Sequence, residues 1–269
     1  MRKELNGIEY QYIDPNGNIT ALVESDVAIS EHTATADLIM REDKKVEQVG
    51  FIRDTDKADT GLRMAAGEFC GNATMSAAAL FCDKTGLGIG SRRSLTVDSS
   101  GCPHPIEVNI TREENSGNLH VFCGSVCMPQ PRKISQHTFE YDGVRYDLPL
   151  VDFDGISHII AIDGPDFDDE KAEEAIKKWI NDINVEGLGI IFVTPQEGSG
   201  YVVRPLVYVP AVGTCYWESS CASGTTAAAA YMFSKGMVRD RLTATEPGGM
   251  LTVDRGGDGK LILSGRVMI

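Results

Sequence analysis

The sequence predicts an α/β protein (α+β) built as two pseudo-symmetric domains, residues 1–130 and 131–269, each a central helix wrapped by mostly antiparallel strands. Three observations predict it. A chain of 269 residues exceeds one typical domain and is comfortable for two. Two alanine-rich segments, GEFCGNATMSAAALF (67–81) and ESSCASGTTAAAAYMF (218–233), carry one pattern around a single cysteine. Each segment is then followed by the same succession of strand and turn signals.

The repeat orders the elements. Superposing Cys70 on Cys221 places Thr74 on Thr225, Ala77 to Ala79 on Ala228 to Ala230, and Lys84 on Lys235. A helix begins at each cysteine and stops in glycine, DKTGLGIG in the first half and SKGMV in the second. SLTVDSSGCPHPIEVNI and NLHVFCGSV then read as strands joined by turns, as do LTATEPGGMLTV and KLILSGRV. PQPRKISQ (129–136) is the expected linker. EKAEEAIKKWINDIN (170–184) is an amphipathic surface helix with its acidic residues early, where the helix dipole favours them.

Composition removes several function classes. With 42% hydrophobic and 24% charged residues, the chain can bury ordinary cores. The net charge is −14 and lysine and arginine do not cluster, so neither nucleic acid nor an anionic membrane surface is an expected partner. No apolar run reaches the roughly 20 residues of a membrane span. MRKELNGIEYQYID lacks the apolar core of a signal peptide, and the expected location is cytoplasmic. Seven cysteines in that setting are expected to be reduced. Cys123 and Cys127 form a CxxxC, yet no second pair or nearby histidine completes a tetrahedral set, so no metal site is expected. No lysine sits in a recognisable phosphate-binding context, and the expectation is chemistry without a cofactor.

The first turn of a helix leaves backbone N–H groups unpaired at the positive end of the macrodipole. Such a place favours thiolate over thiol, by about one pKa unit for an effect of about 1 to 2 kcal/mol. It also binds anions. Two such starts could grip one carboxylate and hold two thiols on opposite faces of the adjacent carbon. That geometry suits inversion at an amino-acid α-carbon: one thiolate removes the α-proton and the opposite thiol returns a proton. Gly71 would let the backbone approach closely, and Asn72 and Ser223 would add side-chain hydrogen bonds. Cys82, Cys102, Cys123, Cys127 and Cys215 have no motif around them and read as packing residues.

CGNAT after Gly-Glu-Phe, and SCASGTTA, resemble the two cysteine motifs of the diaminopimelate epimerase superfamily, over nearly the whole chain. The resemblance implies a duplicated diaminopimelate-epimerase-like fold, each half a barrel around a central helix. It implies Cys70 and Cys221 as the acid/base residues and Asn72, Ala222, Ser223 and Gly224 as anion-gripping turns. It places Asn18 of PNGNIT and His158 of GISH at the substrate. Pro210 and Ala211 stand where true diaminopimelate epimerases carry a Glu-Arg pair for the far end of their substrate. DPNGN, EQVGFI, PLVYVP, YWESSCASGT and EPGGMLTV look more like the histidine racemases of staphylopine-type metallophore biosynthesis. An imidazole substrate would then meet Glu47, Gln48 and Glu218, with Tyr216 or Trp217 stacked on its ring.

The expected function is a cofactor-independent amino-acid racemase using a two-base thiolate/thiol mechanism, with histidine as the small-molecule substrate and, by resemblance, a homodimer as the assembly. The alternatives are an epimerase of diaminopimelate or another amino acid, a phenazine-biosynthesis-type isomerase on the same fold, and a non-catalytic amino-acid-binding protein.

Overall fold

The computed structural model describes residues 1–196, 198, 200–210 and 213–269. It is a mixed α/β structure dominated by mostly antiparallel strands. The chain divides into two compact units, Met1–Met128 with Ile262–Ile269, and Pro129–Leu261.

The first unit opens with a hairpin of β1 (Arg2–Leu5) and β2 (Ile8–Pro15), joined by Asn6-Gly7. Both turn residues have positive φ, 52° and 82°, as the two-residue hairpin turns that match strand twist require. β3 (Thr20–Val23) runs antiparallel to β2, and α1 (His32–Glu42) then crosses over to β4 (Gln48–Arg53), parallel to β3. β5 (Thr60–Met64) turns back along β4. The second crossover is α2 (Gly71–Lys84), which delivers β6 (Arg92–Ser99) parallel to β5. β7 (Ile106–Arg112) and β8 (Val121–Met128) continue antiparallel.

In the second unit, β9 (Lys133–Tyr141) and β10 (Val144–Asp152) form a hairpin through Asp142-Gly143, and β11 (Ser157–Ile162) follows antiparallel to β10. The expected linker over 129–136 is therefore cut short, because Lys133 already pairs with Asp152. The helix α3 (Asp169–Ile183) crosses over to β12 (Leu188–Gln196), parallel to β11. β13 (Gly200–Val209) pairs antiparallel with β12 and, at its far end, with β14 (Thr214–Trp217). Then α4 (Ala222–Ser234) delivers β15 (Arg241–Glu246) parallel to β13, and β16 (Gly249–Arg255) turns back along it. Among the described residues, each unit thus holds two parallel strand pairs, each bridged by a helix.

The last strand, β17 (Leu261–Met268), pairs with β2 and β8 of the first unit. A boundary at 130/131 does not anticipate this. Nothing in LILSGRV says which strands it will join, because pairing partners are chosen by long-range packing.

The helices differ in what surrounds them. α3 buries Ala172, Ala175, Ile176, Trp179 and Ile180 along one stripe and is capped by Asp168, whose side chain accepts from the Lys171 N–H. α2 and α4 are buried almost all round. Their runs of Ala77–Ala79 and Ala227–Ala230 suit that position, since alanine has the highest helix propensity and lets strands approach from every side. No helix among the described residues is long and apolar enough to cross a membrane.

Candidate active site

Both cysteines are helix N-caps. Cys70 (φ −134°, ψ 117°) precedes α2 and Cys221 (φ −122°, ψ 99°) precedes α4, each in extended backbone as an N-cap requires. Cysteine is unusual there, where Ser, Thr, Asp and Asn are favoured. In each case the next turn closes normally: Thr74 N–H donates to the Cys70 carbonyl and Thr225 N–H to that of Cys221, both at 2.9 Å.

In the first cluster the groups bonded to Cys70 and Gln48 are an amide and hydroxyls. Cys70 Sγ accepts from the Ala73 N–H at 3.4 Å and lies 3.0 Å from Gln48 Oε1, which takes the thiol hydrogen. Gln48 Nε2 donates to Thr20 Oγ1 at 2.7 Å, and Thr20 in turn donates to the Asn18 carbonyl at 3.1 Å. The Glu47 and Gln48 N–H groups both donate to the Ile19 carbonyl, so the entry to strand β4 brings the Glu-Gln pair onto the Asn18 turn. The expected Asn18, Glu47, Gln48, Cys70, Gly71 and Asn72 therefore share one end of the first unit. Asn18 and Asn72 are buried. Gln48 addresses the thiol and Thr20, where the sequence suggested an imidazole substrate.

The second cluster is built from ionisable groups. Cys221 is buried, and its N–H donates to Glu246 Oε2 at 2.9 Å. Thr225 Oγ1 donates to the other carboxylate oxygen, Oε1. Cys221 Sγ is 3.6 Å from Ser223 Oγ, which lies 3.0 Å from His158 Nε2. His158 is fully buried beneath Gly189, where a Cβ would come within 2.3 Å of Nδ1. Gly224 is equally tight, since a Cβ there would meet Ile191 Cδ1 at 2.4 Å and Cys221 Sγ at 3.2 Å. Ala222 opens α4 without positive φ. The second unit thus gathers His158, Glu218, Cys221, Ala222, Ser223 and Gly224 at the start of α4.

The electrostatics correct one expectation. A helix start alone should ease ionisation of a thiol, yet burial pushes the Cys221 thiol well above its ordinary range, aided by the carboxylates of Glu218 and Glu246. Burial can raise a pKa by about 3 to 5 units, against about one from a helix dipole. Desolvation wins. It also depresses His158 to about 3, leaving a neutral imidazole, and raises Glu246 to about 7.

Trp217 does not present a bare ring. Arg204 lies over it at 4.4 Å and Phe192 packs at 5.7 Å. Arg204, Trp217, Glu218, Ser219 and Pro247 line a cavity of about 190 Å³. Tyr216, on the other face of β14, is exposed. Ala211 lies outside the described residues.

Sequence reasoning missed Thr20, Gly189, Thr225 as a hydrogen-bond donor, and Glu246. The last had a signal. Leu242, Ala244 and Glu246 alternate along β15 and are all buried, so a carboxylate falls on the inward face of a strand.

The family model described as the histidine racemase CntK N-terminal domain matches residues 7–267. The chain belongs to this family. It is 31% identical over 257 residues to a histidine racemase of Fusobacterium nucleatum, covering 93% of this chain and 90% of that protein. A histidine racemase of Staphylococcus aureus is 26% identical over 255 residues, covering 91% and 88%. Among solved structures, a phenazine biosynthesis protein of the PhzF family from Bacillus anthracis aligns with a TM-score of 0.61 at 13% identity, covering 96% of this chain and 95% of that one. That likeness concerns the fold. Family membership makes the chain an enzyme of the isomerase class.

Proposed function

We propose that this protein is a cofactor-independent histidine racemase that inverts the α-carbon with Cys70 and Cys221 as its two acid/base residues. The observation that carries the reading is a histidine racemase family match over residues 7–267, in a chain whose two repeated cysteines both cap a buried helix. A thiolate takes the α-proton, leaving the electron pair on the substrate as an enolate-like anion. The other thiol then gives its proton to that carbon, and the enzyme ends with thiol and thiolate exchanged. No oxidant or reductant is needed.

The residue types support this chemistry. An α-proton is a poor acid, so donors aimed at the substrate carboxylate carry much of the barrier lowering. The first turns of α2 and α4, with Gly71, Asn72, Ala222, Ser223 and Gly224, are assigned that task. Asn18, Glu47 and Glu218 are assigned to the rest of the amino acid, and Gln48 to Cys70. His158, fully buried, is assigned to Ser223 and through it to Cys221. The matching crossover plans of the two units, and the pairing of β17 with both β2 and β8, support a duplicated barrel architecture. A homodimer, action in the cytoplasm and supply of D-histidine to metallophore assembly belong to the same reading.

The test is to incubate reduced enzyme with L-histidine in D2O, following the α-proton by NMR and the optical rotation together. Deuterium incorporation with decaying rotation is expected. Absence of exchange with histidine, but exchange with another amino acid, would move the assignment to that substrate.

A further inference from the structure

Glu246 closes β15 and sits on the start of α4. Its carboxylate accepts from the Cys221 N–H through one oxygen and from the Thr225 hydroxyl through the other, and it is buried. The first unit does the corresponding job without charge. There β6 ends at Ser99, and the hydroxyl of Thr74, the residue matching Thr225, meets the Ser99 hydroxyl at 3.2 Å. Two equivalent strand ends thus support two equivalent helix starts, one with a hydroxyl and one with a carboxyl.

We infer that Glu246 is a positioning residue that anchors the Cys221 backbone and, by placing a carboxylate beside it, makes Cys221 the resting proton donor of the pair. The donor assignment rests on the racemase reading. A carboxylate spent on a structural brace alone would be a poor choice in a buried place, because an ionised group there is costly unless its charge is used or neutralised. Glu218 and the Cys221 thiol are the titratable groups that face Glu246, with Ser220, Thr225 and the Cys221 amide as its neutral partners. Its ionisation falls near 7, so its charge changes across the pH range in which the enzyme would work.

The experiment is an ultraviolet thiolate titration of Cys221, taken as the difference between each protein and its Cys221→Ser counterpart. Glu246→Gln keeps an acceptor for the Cys221 N–H and removes the charge. It is expected to lower the apparent pKa of Cys221 by about one unit, raising the thiolate fraction about tenfold below that pKa. An unchanged titration in folded Glu246→Gln overturns the inference. Wild-type enzyme provides a second measurement that depends on no folded variant at position 246. As Glu246 ionises, the rise of log thiolate with pH should flatten around neutrality before resuming, and a simple one-site curve overturns the inference. Wild-type enzyme that racemises nothing would sink the donor role through the racemase reading, and the titration would still decide whether Glu246 governs the thiol.

Discussion

Cys70 and Cys221 occupy the same structural address and live in opposite surroundings. Each caps a buried alanine-rich helix after a strand, in extended backbone. The bonds described around Cys70 run through an amide and hydroxyls: Gln48, Thr20, Thr74 and Ser99. Around Cys221 stand two carboxyls and an imidazole: Glu218, Glu246 and His158, the last acting through Ser223. The two helix starts therefore place the cysteines alike, and Cys221 has carboxyls against it that the bonds of Cys70 to Gln48 and Ala73 do not supply. For a two-base reaction this difference is useful. A pair of identical thiols has no preferred donor, whereas a buried thiol flanked by carboxylates rests protonated.

The largest expected effect breaks the pair itself. Cys70→Ser and Cys221→Ser should each lower racemisation by about 10²- to 10⁴-fold, measured by polarimetry in both directions. If the roles are as assigned, each variant should retain α-hydrogen exchange in D2O from one enantiomer more than from the other. Equal and unaltered racemisation in either variant would end the two-base reading.

Next comes the pH dependence of stability in the second cluster, which carries two opposing slopes. His158 is depressed from 6.5 to about 3, so the unfolded chain takes up its proton first, and stability is lost as pH falls from 6.5 towards 3. Glu246 is raised from 4.5 to about 7, so the native state holds its proton longer, and stability is lost as pH rises from 4.5 towards 7. Each is worth on the order of 3 to 5 kcal/mol over its full window. Between 4.5 and 6.5 the two slopes oppose each other. Urea melts across that interval should show Glu246→Gln losing stability towards acid more steeply than wild type. His158→Gln should instead gain relative stability as pH falls. Parallel curves for all three proteins would contradict the assigned surroundings.

A smaller effect tests how the second cluster is packed. Gly189→Ala forces a Cβ against the His158 ring and should cost about 1 to 3 kcal/mol in chemical denaturation, with loss of the Ser223 contact. The smallest change sharpens the comparison from the other side. Gln48→Glu places a carboxylate beside Cys70 and should raise its apparent pKa by about one unit in a thiolate titration, giving the first cluster the character of the second.

Much of this is legible in the sequence. Cys70 and Cys221 could be picked out because their repeats share spacing, and the spacing of a helix start is local. The amphipathic helix expected over 170–184 appears as Asp169–Ile183, since its stripe and its acidic first turn are read within a few residues. The crossover helix α1 was not anticipated, as HTATADLIMRE has only a narrow apolar stripe of Ala36 and Ile39. Glu246 was quoted within a family motif and given no role, although the alternation of β15 pointed it inward.

The amino-acid order by itself determined the two cysteines, their helices, the repeated sequence pattern and the acidic net charge, because these depend on neighbours in sequence and on summed charge. The tertiary structure decided which groups surround each thiol and where β17 is paired. It also decided the protonation of Cys221. The sign of that last effect reversed for a physical reason: the helix dipole is visible in the sequence and modest, whereas desolvation depends on every atom that excludes water from the sulfur, and only the folded chain assembles those.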